Sequence, residues 1–355
     1  MSASLRWLGR HQNPDGTWGS SDFGGRCIDA SCSGKGEVGF DEGVTSLALL
    51  AYLGAGYTQL SKDETVDRVE PGRVIRPGEA VKKGIQALLA RQDAEGCIGE
   101  RGPKFLYNHA IATLALCEAY GMTNADILRE PALKAVDFLV AAQNPGAGWR
   151  YGVRGGESDT SVTGWAVMAL KSAELSGLAF PRKAAYDGAL TWIDKATERG
   201  PSPRVGYNQA GSGKVYIPGR NEAFADHPTM SAIGLLSHLF IKKDGRDATL
   251  AASLLVELPE WKEQQIDFYS WYYSTVALYQ FDGPTGSHWK KWNEPMKNAL
   301  LPQQKLAKHG CENGSWDPSL DRWGSEGGRV YATAINTLTL EIYYRYVNAF
   351  GVAGR

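Results

Sequence analysis

Acidic, imidazole and hydroxyl side chains recur at one kind of place in this 355-residue chain, the start of an apolar segment. Asp41 and Glu42, Asn108 and His109, Asp159, Asp226 and His227, and Asp267 and Tyr269 all stand there. A carboxylate at a helix start can cap free backbone N–H groups and complement their partial positive charge. The same residues can form a polar rim at the mouth of an apolar pocket. Asp159, with Ser161 and Thr163 behind it, reads as an N-cap that is ionised at neutral pH. Its other reading is a general acid. Trp165, Tyr269, Trp271, Tyr272 and Tyr331 can line a cavity and steady a cation, or pack between helices. His109, Asp226 and His227 carry ligand chemistry without ligand spacing, so no metal site is expected, and no cofactor.

Other chemistries lack their residues. The Gly-rich run Ser33 to Gly39 has neither the Lys nor the preceding strand that phosphate binding requires. The five cysteines include no CxxC. Cys27 and Cys32 share one loop and read equally as a local disulfide or a pair of thiols; Cys117 reads as a small core residue. A formal net charge of -1 offers no electrostatic attraction for nucleic acid. No run of 18 apolar residues marks a membrane span, and no apolar stretch follows the first residues to make a secretory signal. The chain starts almost within a helix, at Leu5 to Leu8, as a piece of a longer protein would.

The elements that position these residues repeat. Six apolar segments, Gly43 to Gly56, His109 to Gly121, Ser161 to Gly177, Thr229 to Phe240, Ser270 to Phe281 and Tyr331 to Tyr346, are apolar nearly all round and predict buried helices roughly 20 Å long. An amphipathic segment precedes each: Leu5 to Gln12, Ala80 to Gln92, Ala132 to Gln143, Ala184 to Ala196, Ala248 to Leu258 and Lys291 to Leu306. Because the end repeats are as apolar as the middle ones, six outer and six inner helices are expected to close into a double ring. Between the two helix types lie turns such as Gln12-Asn13-Pro14-Asp15-Gly16-Thr17-Trp18. Gln143 to Trp149, Gln92 to Ile98, and Gly314 to Trp316 after Gln303 and Gln304 vary the same theme. The abundance of Gly (42) and Trp (11) fits such a repeated turn. Gly takes the positive φ that ends a helix, Gln bonds free backbone groups, and Trp plugs the gap between repeats.

These Q-x-x-x-G-x-W turns resemble the QW motifs of squalene-hopene and oxidosqualene cyclases, and the paired helices resemble the α/α toroid of those cyclases, prenyltransferase β subunits and thioester domains. The likeness extends over essentially the whole chain and is nearest to bacterial prenyltransferase/squalene oxidase repeat proteins, through Tyr107 to Ala112 and Asp159 to Trp165. It implies one all-α toroid domain over residues 1–355. The chemistries implied by the family are incomplete here. Gly156-Glu157-Ser158-Asp159-Thr160 keeps one acid of the cyclase D-x-D-D motif. Ser161 and Ser270 stand where the prenyltransferase zinc site has thiol and imidazole, and Ser is a poor zinc ligand. Gly310-Cys311-Glu312-Asn313 lacks the thioester Gln. The expectation is therefore a ligand- or protein-binding toroid whose cavity takes an apolar, isoprenoid-like molecule or a peptide segment. The alternative is a terpenoid cyclase-like enzyme with Asp159 as acid.

Overall fold

The computed structural model describes residues 2–27, 32–242 and 247–343. Among the described residues twelve α-helices alternate between an outer and an inner layer. The outer helices are α1 (Ser2–His11), α3 (Pro77–Ala90), α5 (Asp126–Ala142), α7 (Arg182–Ala196), α9 (Asp247–Ser253) and α11 (Ser287–Leu300). The inner ones are α2 (Asp41–Gly54), α4 (Phe105–Thr123), α6 (Thr160–Leu175), α8 (Thr229–Ile241), α10 (Phe268–Asp282) and α12 (Gly324–Leu340). Each inner helix packs on the next, and α12 packs back on α2, so the ring closes as an α/α toroid. A two-stranded antiparallel ribbon, β1 (Thr65–Val66) with β2 (Val74–Ile75), is inserted between α2 and α3.

The inner helices are buried on nearly all faces because their sequences offer water almost nothing polar. Ala and Leu on α2, α4 and α6, with Trp165 and Trp271, form one continuous core that the apolar stripes of the outer helices cover.

The Trp turns fasten the layers in a repeated way. The indoles of Trp18, Trp149 and Trp316 are buried and donate to the carbonyls of Leu8, Leu139 and Leu300, 2.7–2.9 Å away. The amides of Gln12, Gln92 and Gln143 donate to a carbonyl of their own turn and also to Ala80, Pro131 and Ala185 of the next outer helix. They thus link successive repeats as well as closing a helix end. Gly16, Gly96 and Gly314 have φ of +91°, +97° and +99°. A Cβ on them would lie 2.1–2.2 Å from the carbonyl oxygens of Lys83, Lys134 and Ala3, so both conformation and backbone approach require glycine.

Helix bounds differ from the periodicity where proline intervenes. The fourth outer-to-inner crossing is as expected, but α9 ends at Ser253 instead of Leu258, ahead of Pro259, which disfavours helix in the residue before it. Helix α5 begins six residues earlier than Ala132 and carries Pro131 in its second turn. Helix α11 runs from Ser287 and gives way to a 3-10 turn at Pro302. The expected end of the last inner segment, at Tyr346, lies outside the described residues. The run Ser33 to Gly39 packs its backbone on the start of α12: Arg329 N–H donates to Gly34 O and Glu37 N–H to Glu326 O. No disulfide forms among the described residues, and Cys27 and Cys32 are both thiols. Nor is any described helix long and apolar enough to cross a membrane.

Candidate active site in the axial cavity

All six inner helices contribute their N-terminal turns to one cavity of about 220 Å³ on the ring axis. Gly43 and Leu47 of α2, Tyr107, Asn108 and Ile111 of α4, and Ser161 and Trp165 of α6 form part of its wall. Thr229 of α8, Tyr269 of α10 and Tyr331 of α12 complete it. The loop from Arg204 to Ile217 borders its mouth.

The floor is aromatic and held by hydrogen bonds. Trp165 Nε1 donates to Tyr107 Oη at 3.0 Å, and Ser161 Oγ lies 2.7 Å from Tyr269 Oη. Tyr272 stacks against Trp165 at a ring separation of 5.9 Å. Burial pushes the Tyr107 phenol up to about 12 and Tyr269 well above its ordinary value, so both are neutral hydroxyls.

The rim is charged. Asp226, Asp267, Glu326, Lys104 and Arg322 border the opening. Asp226 is paired with Lys214, and Arg322 Nη1 lies 3.9 Å away. Asp267 caps α10, accepting from Ser270 N–H at 2.8 Å. Behind it is Asp321, fully buried, whose two oxygens accept from Phe268 N–H (2.7 Å) and Trp323 N–H (3.0 Å). Burial, then the charge of Asp267, drives the Asp321 carboxyl well above the usual range. Two carboxyl groups thus sit together at one edge of an aromatic cavity, an arrangement in which the charge of one favours the protonated form of the other.

Of the residues singled out in the sequence, Asn108, Trp165, Asp226, His227, Asp267, Tyr269 and Tyr331 line this cavity. His227 Nε2 donates to Gln265 O at 2.9 Å and its Nδ1 faces Glu257. The others lie elsewhere. Asp41 accepts from the backbone and hydroxyl of Ser20, and Glu42 lies beside Arg91 in the neighbouring turn. His109 accepts Ile98 N–H at Nδ1 and donates from Nε2 to Ala135 O. It occupies the role that Thr45, Thr163 and Thr333 fill for the Trp turns, each accepting the Trp N–H. His109 is therefore a turn anchor, and burial lowers it to about 4, which keeps it neutral. Trp271 packs on Trp261 and Phe268, and Tyr272 lies beneath Trp165 instead of on the cavity surface.

Asp159 does cap α6, accepting from Val162 N–H at 2.8 Å. It does not reach the cavity, because Val205 to Tyr207 lies across the start of α6, with Thr160 N–H donating to Tyr207 O and Thr160 Oγ1 to Gly206 O. Desolvation outweighs the capping N–H and Arg150, and the carboxyl is raised to about 7. Sequence reading passed over Asp321, Arg322 and Trp323, which precede the last apolar segment as Asp267 precedes the fifth. That position was the available signal.

No protein-family model matches the chain, and no curated protein matches it significantly. Solved structures do. Unsaturated glucuronyl hydrolase from Bacillus sp. GL1 superposes with a TM-score of 0.63 at 14% identity, covering 99% of this chain and 97% of its own. The GH76A α-1,6-mannanase of Salegentibacter sp. HEL1_6 gives 0.60 at 11%, covering 96% of each chain. An α-amylase from Clostridium perfringens gives 0.61 at 13%, covering 96% and 97%. These similarities establish the toroid. They also correct the resemblance drawn from the Trp turns: the toroids named here are a glucuronyl hydrolase, a mannanase and an amylase, not squalene-hopene cyclases. The terpenoid cyclase and the non-enzymatic apolar-binding module are set aside on the same finding. The Q-x-x-x-G-x-W pattern misled because it solves a packing problem of stacked helix pairs, and that problem is independent of the chemistry at the ring axis.

Proposed function

We propose that the protein is a carbohydrate-active enzyme that binds an oligosaccharide in the axial cavity and cleaves a glycosidic bond. The observation that carries this reading is the pairing of an aromatic floor, Trp165 with Tyr107, Tyr269 and Tyr331, with a carboxyl rim of Asp226 and Asp267. Sugar rings present apolar C–H faces that lie on aromatic rings and hydroxyl edges that bond carboxylates. The toroids named above support it, one of them an α-1,6-mannanase in complex with α-1,6-mannotriose.

In this reading a proton shared by Asp321 and Asp267 passes through Asp267 to the glycosidic oxygen as its C–O bond breaks. Asp226, across the rim, takes the proton of the water that adds to the sugar carbon. Neutral Tyr107 and Tyr269 orient hydroxyls without competing for the proton. The mannanase complex is of a variant made inactive by changing two aspartates at consecutive positions. This chain has no consecutive aspartates. Its own acids come from separate segments, and their roles rest on the cavity alone.

The test is a panel of neutral and uronic oligosaccharides with different linkages, followed by calorimetry for binding and chromatography for products. Binding is expected for at least one class, with release of shorter sugars that Asp267→Asn abolishes. Absence of both binding and product across the panel, with the protein folded, would overturn the reading.

A further inference from the structure

Away from the cavity, where the last repeat meets the first, four side chains converge. They are His11, at the end of α1, Cys27, just past the 3-10 turn Phe23–Arg26, Cys32, and Cys311, in the 3-10 segment Ala307–Glu312. Their ligand atoms all lie within 4.8 Å of one another. His11 Nε2 is 3.5 Å from Cys27 Sγ, 3.4 Å from Cys32 Sγ and 3.4 Å from Cys311 Sγ. Around a tetrahedral zinc ion, bond lengths of ≈ 2.3 Å to sulfur and ≈ 2.0–2.1 Å to nitrogen place ligand atoms about 3.5–3.8 Å apart. The three N–S separations lie within about 0.1 Å of the short end of that range.

The imidazole is also oriented for the task. His11 Nδ1 is 2.8 Å from Trp7 O, a carbonyl, so Nδ1 carries the proton and Nε2 turns its lone pair to the three sulfurs. Trp7 stacks on the ring with centroids 4.2 Å apart and locks it. As thiols, the three S–H groups crowd around one imidazole nitrogen and around one another. His11 is fully buried and Cys311 nearly so, so the cluster lies inside the protein. A soft divalent cation resolves this crowding, since it accepts electron pairs from all four groups at once.

We propose that His11, Cys27, Cys32 and Cys311 form a structural zinc site. The composition, three thiolates and one imidazole, selects zinc over hard cations such as magnesium and calcium. Four protein ligands close the coordination shell, leaving no position for substrate. On binding, the three thiols release their protons to solvent, and no electrons are transferred. The site ties residue 11 to residue 311, a separation of 300 along the chain, and so clamps the seam where α12 packs back on α2. Arg10 reinforces the same seam, donating to Cys311 O and Asn313 O from Nη2 while Nη1 pairs with Asp67. This replaces the expectation of a chain without metal. It also shows why the thiol pair at Cys27 and Cys32 could not be interpreted from its own loop: His11 lies on α1 and Cys311 in the last repeat.

Elemental analysis of protein purified without chelator is expected to find about one zinc per chain. Cobalt substitution is expected to yield thiolate charge-transfer absorption and the intense visible bands of a tetrahedral centre. Cys32→Ser and Cys311→Ser should lose the metal and lower Tm, whereas Cys97→Ser and Cys117→Ser should retain it. Stripping zinc from the wild type should lower Tm reversibly, a readout that holds even if a variant fails to fold. Native protein, refolded with zinc, that contains only substoichiometric metal would overturn the proposal. So would a disulfide between any two of the three cysteines in the native protein.

Discussion

Helices α6 and α10 begin alike and are put to different use. Each is capped by an aspartate that accepts a backbone N–H three residues on, from Val162 to Asp159 and from Ser270 to Asp267, both at 2.8 Å. Over α6 the strand-like segment through Tyr207 seals the carboxyl away from the axis. At α10 the cap borders the cavity, and a second acid, Asp321, is buried against it. The cap motif is therefore shared architecture, and what crosses over it decides whether the acid meets a ligand.

The sharpest break of this comparison is catalytic. Asp267→Asn is expected to lower turnover on a cleaved oligosaccharide by about 10²–10⁴-fold, the usual contribution of a positioned acid. Asp159→Asn should leave turnover within a few-fold. Equal losses from both, at unchanged folding, would show that Asp159 is not sealed off.

Next in size is Trp149→Ala, beside Asp159 in the turn that leads into α6. It removes a fully buried indole and its bond to Leu139 O, and should cost about 3–5 kcal/mol by denaturant unfolding. A cost below about 1 kcal/mol would mean that the Trp turns do not hold the layers together. Asp321→Asn should cost about 1–3 kcal/mol, because an amide NH₂ must face Phe268 N–H or Trp323 N–H and leave one donor unpaired.

The smallest effect belongs to Asp159→Asn, and it is a change of slope. The Asp159 carboxyl has its folded value raised from 3.8 to about 7. Between those values the folded protein binds the proton more tightly than the unfolded chain. Its contribution to stability is thus complete below pH 3.8 and is lost as pH rises through 7. In the wild type Tm should decline over that window more steeply than in Asp159→Asn, whose amide oxygen can still accept from Val162. Parallel Tm–pH curves would show that Asp159 is ionised in the fold.

Much of the fold was legible because periodicity reports burial directly. Apolar inner and amphipathic outer segments identify two layers, and the Gly and Trp turns identify where the chain passes between them. Helix ends moved where Pro131, Pro259 and Pro302 intervene, since proline acts on individual residues that periodicity averages over. The site was legible in part. Asp267 and Tyr269 stood out because they begin a helix, whereas His109 begins one too and anchors a turn. No local signal separates these cases, because exposure to the axis depends on the loop contributed by the next repeat.

By itself the sequence determined the alternation of layers, the closed ring and the residue types available at each inner helix start. The first and last of these depend on neighbours within a repeat, and closure was legible only because the end repeats are as apolar as the middle ones. Tertiary structure alone decided which acids meet: Asp267 with Asp321 at the cavity, and His11 with Cys27, Cys32 and Cys311 at the seam. Closing a ring brings together residues up to 300 positions apart, and the distances that govern proton sharing and metal ligation, a few ångströms, are set only when that closure is complete.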